Sequence, residues 1–383
     1  MPQSGMIAFM VKSVKYTWQL LVILLLLLVQ GLPAPVLAIE VRGLYQATVQ
    51  VDSREDERER RRGFSDAMLE VLVKVSGSTA VSSPASIRRA LNSPEAYVES
   101  WSTQTRTEVI ESENGQSSTQ ENIELVVNFY ESEIQRLLDE NNIPLWPVNR
   151  PETLVWIVIE DELGERRMLA SSANPDSTLL ERLDNYADQR GLPLLYPILD
   201  LEDQLRLNVN RLWELDEQAI LNASRRYQAE SILAIRIFRS LSGELLARSL
   251  YFFRDNVFSY EEFESSENEF LQGSINLVST ELSQYYAVLL SSTENSVPVD
   301  FQVDGIDSPA DYSALLSYLR TLEGVNAFQL KRADQGTLIL RLETGGQLRQ
   351  LVETIALEPS LQIVSELNRD GLDVSMHYRW LRD

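Results

Sequence analysis

The stretch from Ile143 to Asp161, "IPLWPVNRPETLVWIVIED", constrains the fold more than any other part of the chain. Its second half, "TLVWIVIE", is almost continuously apolar and rich in β-branched residues. That pattern fits a strand covered on both faces, and so a layered α/β sheet. Its first half, "PLWPVNRP", holds three prolines in eight residues and can neither continue a helix nor join a central ladder. Two readings follow for Trp146, Pro147, Arg150 and Pro151. They could form a ligand-binding lip, with Trp146 stacking and Arg150 pairing with a carboxylate. Alternatively they make a stiff domain joint, with Trp146 plugging the core of the first unit and Arg150 capping or bridging the boundary. The joint is the preferred reading, because large aromatic side chains contribute most through burial.

The first 38 residues differ in kind from the rest. Lys12 and Lys15 precede the apolar run "LLVILLLLLV" (Leu20 to Val29), then "GLPAP" and small or apolar residues up to Ala38. This is the layout of a secretory signal cleaved after Ala38. An uncleaved anchor is the alternative, since Trp18 to Ile39 carries no charge. Either way the expectation is an exported, periplasmic chain that touches the membrane only through this segment. Losing Lys12 and Lys15 takes the formal charge from −23 to −25, which repels nucleic acid and anionic lipid. The absence of cysteine excludes disulfides, thiolate metal sites and thiol catalysis.

Three units are expected after the signal, in a chain of mixed α+β and α/β class. In residues 39–145, "AIEVRGLYQATVQV" (38–51) reads as one strand by its period of two. Asp52 and Ser53 offer N-caps for a long helix with a buried stripe of Phe64, Ala67, Met68, Val71, Leu72 and Val75, stopped by Gly77. Asp56 with Arg60 and Glu57 with Arg61 are acid-first pairs that mark a solvated face rather than a binding patch. "SPASIRRALNSPEAYVESW" starts short helical turns. "TQTRTEVI" and "IELVVNFY" read as strands around the polar loop 111–122, and Glu131–Asn142 as a helix, giving β-α-α-β-β-α.

Residues 151–292 alternate strands ("TLVWIVIE", "LPLLYPILD", "ESILAIRIFRS") with helices at 178–190, 215–227 and 268–290. "ELLARSLYFFRD" reads as a strand or hairpin partner. The alternation predicts a layered unit with a mainly parallel sheet. After the polar linker "SSTENSVPVD", residues 297–383 read as a split β-α-β sandwich of the ferredoxin-like kind.

Acids at strand ends are the sharpest candidates for chemistry. Glu160, Asp161 and Glu162 follow one strand, and Asp200, Glu202 and Asp203 follow another, where ligands of open α/β sheets bind. Converging, Glu160, Asp161, Asp200 and Asp203 could hold Mg²⁺ or Ca²⁺. The plainer reading places them in solvated turns and at helix N-termini. His377 is the only histidine, and no G-x-S-x-G accompanies it. No phosphate-cradle motif is present, and "TGGQ" at Thr344 is a bare turn. No cofactor, catalytic residue or resident metal is assigned.

Several ordered stretches carry a family resemblance: "VLVKVSGS", "YVESW", "IPLWPVNRPETLVWIVIED", "GLPLLYPILDLED" and "ASRRYQAESILAIRIFR". Together, over residues 39–290, they resemble an uncharacterised Gram-negative bacterial family known only as domain of unknown function 2066. More distantly, the first unit is similar to the N-terminal module of flagellar-collar and outer-membrane accessory proteins. The second is similar to the nucleotide-free α/β module of the Tol translocation protein. The resemblance implies a non-catalytic accessory or scaffold of the cell envelope that binds an envelope protein or cell-wall component. It transfers no site residue. A divalent-metal enzyme using strand-end carboxylates and a periplasmic small-molecule receptor with a closed pocket between the first two units are the alternatives.

Overall fold

β2 (Gln46–Val51), β4 (Ser117–Phe129) and β3 (Val98–Glu111) form the first sheet in that order, antiparallel throughout. The structure is a computed structural model describing residues 38–383 except 112–116, 162, 171–176, 240–244, 264–265, 291–296, 323, 345–347, 371–372 and 382–383. The leader-like segment, Glu162 and most of "TGGQ" lie outside the described residues. Helix α1 (Glu57–Ser76) lies on this sheet and buries the expected stripe from Phe64 to Val75 against Ala47, Leu125 and Val127. It starts later than Asp52 or Ser53, because Asp56 accepts from Arg58 N at 2.8 Å and is the N-cap. Asp56 being the cap, Arg60 pairs with Glu57, and Arg61 reaches Glu95 at 2.7 Å. Gly77 ends the helix with a left-handed φ of 71°. Helix α2 (Ala85–Leu91), a 3₁₀ turn at Pro94–Tyr97 and α3 (Glu131–Asp139) complete this layer. The single strand expected over 38–51 is two, because the chain turns at residues 42–45. β1 (Ala38–Glu40) leaves the sheet and pairs with β5 (Asn149–Pro151), inside the proline-rich joint. The first hairpin is also longer than expected, its strands running to Glu111 and from Ser117.

β6 (Thr153–Glu160) is the central strand that its composition predicts. Leu154 to Val158 are all 0% exposed. Val155 and Ile157 join one core with α4 (Ser177–Arg190) and α8 (Glu267–Tyr286). Leu154, Trp156 and Val158 join another, on the opposite face, with α6 (Val209–Trp213) and α7 (Glu217–Ser224). Each such aliphatic side chain contributes about 1.5–3 kcal/mol by leaving water. β6 runs parallel to β9 (Ser231–Arg239) and to the two-residue β8 (Leu194–Leu195). It is antiparallel to β7 (Arg166–Leu169), while β9, β10 (Leu245–Phe253) and β11 (Asn256–Phe263) form an antiparallel meander. The sheet, in order β11-β10-β9-β6-β7, is therefore mixed rather than mainly parallel. "LPLLYPILD" yields only two strand residues, since Pro193 and Pro197 flank them. The helix expected over 215–227 is preceded by α5 (Leu201–Arg206) and α6.

The third sheet has the order β13-β14-β12-β16-β15, from β12 (Val297–Asp304), β13 (Val325–Asp334), β14 (Thr337–Thr344), β15 (Leu361–Asp370) and β16 (Asp373–Trp380). α9 (Pro309–Thr321) and α10 (Leu348–Ala356) supply Leu315, Leu319, Leu351 and Ile355 to its core. The β13-β14-β12 half has the ferredoxin-like arrangement. β16 then departs from it, lying parallel to β12 and displacing β15 to the edge.

Candidate functional site

The joint is built around Arg150, which is 0% exposed. Its Nε donates to Pro147 O at 2.9 Å, Nη1 to Arg190 O and Gly191 O at 3.0 and 2.8 Å, and Nη2 to Lys74 O and Trp146 O at 3.0 and 3.1 Å. The guanidinium lies 3.8 Å from the centre of the Trp146 ring. These five acceptors come from the C-terminal turn of α1, the joint, and the end of α4, so one planar fork ties three segments. Gly191, with φ 59°, leaves room for it, since a Cβ there would sit 2.5 Å from Nη1. Arg190 adds a bond from Nη2 to Gly77 O at 2.7 Å. Burial lowers the Arg190 pKa to about 10.

Arg150 thus ties α1 and α4 to the proline-rich segment that carries it. Trp146, by contrast, belongs to the core of the middle layer with Val155 and Ile157, not to the core of the first. Leu145 is the last residue of the first core, and it exchanges backbone hydrogen bonds with Val288 at 2.7 and 2.8 Å. Pro147 supplies its carbonyl to Arg150, and Pro151 pairs with Ala38 in the short β1–β5 ladder.

Beside the joint lies a cleft of about 1070 Å³, lined by β2 residues, by Glu70 and Lys74 of α1, and by Asn185, Asp188 and Gln189 of α4. Lys74 is buried, donates from Nζ to Gln46 O at 2.9 Å and lies 3.5 Å from Glu70. Burial lowers the Lys74 pKa, partly opposed by Glu70, and raises those of Glu70 and Asp188. Sequence reasoning missed this group. Its signal was a lysine set within the apolar stripe of "VLVKVSG".

The strand-end acids are not brought together as metal ligands. Among the described residues no three His, Cys, Asp or Glu side chains are placed to hold a metal ion. Glu160 pairs with Arg166 at 2.5 Å across the β6–β7 hairpin, and borders a pocket of about 280 Å³ with Trp213, Arg236 and Arg248. Asp161 accepts from Leu163 N and Glu165 N, both at 2.9 Å, and shapes the turn. Asp200 caps α5, accepting from Asp203 N at 3.0 Å, and binds Arg226 at 2.7 and 3.1 Å. Asp203, 0% exposed, accepts from Leu199 N, Tyr227 Oη and Arg226 Nη1 at 2.9, 2.5 and 3.0 Å. The guanidinium of Arg226 supplies the positive charge among Asp200, Glu202 and Asp203. Its bonds hold the Asp200 carboxyl down to about 2.

His377 Nε2 lies 2.7 Å from Asp304 Oδ2 and 3.2 Å from Gln302 Nε2, on the side of the third sheet opposite its helices. Thr337 Oγ1 donates to the same Asp304 at 2.8 Å. The acid lies between imidazole and hydroxyl, whereas a hydrolytic triad needs the imidazole between the other two. Burial pushes the Asp304 pKa up, but the bonds from His377, Thr337 and Gln302 outweigh it and hold the carboxyl low.

A protein family described as a domain of unknown function (DUF8605) matches residues 38–147, which span the first sheet, its helices and the beginning of the joint. No curated protein and no solved structure matches the chain. No helix among the described residues is long and apolar enough to cross a membrane.

Proposed function

We propose that the chain is an exported accessory of the cell envelope that binds a protein or cell-wall partner and catalyses no reaction. The observation that carries this reading is how the reactive side chains are employed. Arg150 is bound by five carbonyls, Asp200 and Asp203 by Arg226, and His377 by Asp304, so each has a structural partner. The cleft beside β2 is by contrast open and lined by polar side chains. Export and a periplasmic location rest on Lys12, Lys15 and the apolar run up to Val29. Kinship with the Gram-negative family that residues 39–290 resemble belongs to the same proposal.

In-cell crosslinking of the full-length tagged chain, followed by identification of what co-purifies from solubilised envelopes, tests this reading. One stoichiometric envelope protein or cell-wall fragment is the expected result. Background alone, together with a metal-dependent turnover, would sink it. The cleft favours a second reading, a receptor for a small polar molecule, in which a metabolite would raise the melting temperature of the free protein.

A further inference from the structure

Among the described residues β2 is an edge strand, and its first half, Gln46 to Thr48, lines the cleft. In an antiparallel ladder the N–H and C=O of one residue point to the same side, alternating along the strand. Tyr45 O accepts from Phe129 N at 2.9 Å, so the odd residues of the register Ala47↔Val127, Val49↔Leu125 and Val51↔Ile123 point towards β4. Gln46 points the other way, its N–H bonding Gly43 O at 3.0 Å and its C=O taking the Lys74 ammonium at 2.9 Å. Thr48 and Gln50 share its parity. They therefore present two successive donor–acceptor pairs outward, roughly 7 Å apart, and both side chains are exposed.

Edges of this kind are normally blunted by charge, proline, bulges or brevity. Among the described residues, the other outermost strands of the three larger sheets carry such devices. β3 has a register shift near Val98 and bears Glu99 and Arg106. β7 has four residues, two of them arginines. β11 carries Glu261 and Glu262. β13 and β15 are each broken by two register shifts. β2, "QATVQV", has no charge, no proline and an unbroken register.

We infer that the exposed edge of β2 is a strand-addition site for an extended, polar segment of a partner protein. The occupant is a polypeptide because two residues' worth of backbone donors and acceptors at strand spacing is the recognition pattern of another strand. It is polar because the walls it would meet are Glu70, Asp188, Gln189 and Arg42. This rests on the partner-binding reading and names the surface that performs it.

The test places a photo-crosslinking phenylalanine analogue at Thr48 or Gln50 of the full-length chain in cells, with Val257, Leu330 and Ile363 as exposed controls on other sheets. Adducts from positions 48 and 50, absent from the controls, should map to one short segment of one partner. A synthetic peptide of that segment should bind the purified protein and lose roughly tenfold or more in affinity when alternate backbone nitrogens are methylated. Adducts from the controls alone, or a peptide indifferent to methylation, would overturn the β2 site and leave the binding reading standing. Adducts mapping to this chain itself would assign the edge to self-association and overturn it as well. No adduct from any position would remove both.

Discussion

Arg150 carries a permanent charge into a site without solvent access, and its stability rests on five carbonyl acceptors rather than on one partner. Removing it leaves those carbonyls buried and under-satisfied. R150M should lower the unfolding free energy by at least about 3 kcal/mol in urea titration. R150K should recover less than half of that, because one ammonium cannot reach acceptors spread over α1, the joint and α4. Asp200 is the opposite case, exposed and held by Arg226. Its pKa is lower in the folded state, so its contribution is fully present above the unfolded value near 4 and is lost as pH falls towards about 2. D200N keeps the helix cap and loses the ion pair. Its melting temperature should lie below wild type at pH 7, and the difference should vanish near pH 2. A difference independent of pH would mean that the ion pair contributes nothing.

At the scale of elements, Gly77 connects α1 to α8. A Cβ there would sit 2.0 Å from the Ser283 Cβ, on a backbone already at φ 71°. G77A should cost more than about 1 kcal/mol, and adding Ser283→Gly should recover the steric share but not the conformational one, as read by thermal melts. Elements with one dominant physical signal were legible from sequence. β6 is legible from its uninterrupted apolar run, and α1 from its stripe and its stop. What escaped was decided by distant partners. β11, "NVFSYEEF", alternates poorly and is a strand because β10 templates it. β16 lies between β12 and β15, a choice made by pairing rather than by local pattern. The candidate site is half legible: Arg150 and the prolines around it stand out in the sequence, whereas Lys74 and Asp188 come near one another only once α1 and α4 have packed.

At the scale of the whole molecule, α10 and the residue after it join the third layer to the middle one. Leu357 is 2% exposed within the middle core, and Glu353 accepts from Tyr285 Oη at 2.6 Å and from Arg254 Nη2 at 2.5 Å. L357A should cost about 2–5 kcal/mol. Combined with E353Q it should split a single calorimetric transition into two, the third layer melting apart from the rest. One transition in the double variant would show that the coupling lies elsewhere. The Arg150 fork also sets an order of events. Its acceptors at residues 74 and 190 are remote in sequence, so the guanidinium can shed all its water only after α1 and α4 have docked on the joint. It is therefore a late latch on the folding route. Loosening it should leave the refolding rate nearly unchanged and hasten unfolding, so its main effect is to set how long the folded state persists once formed.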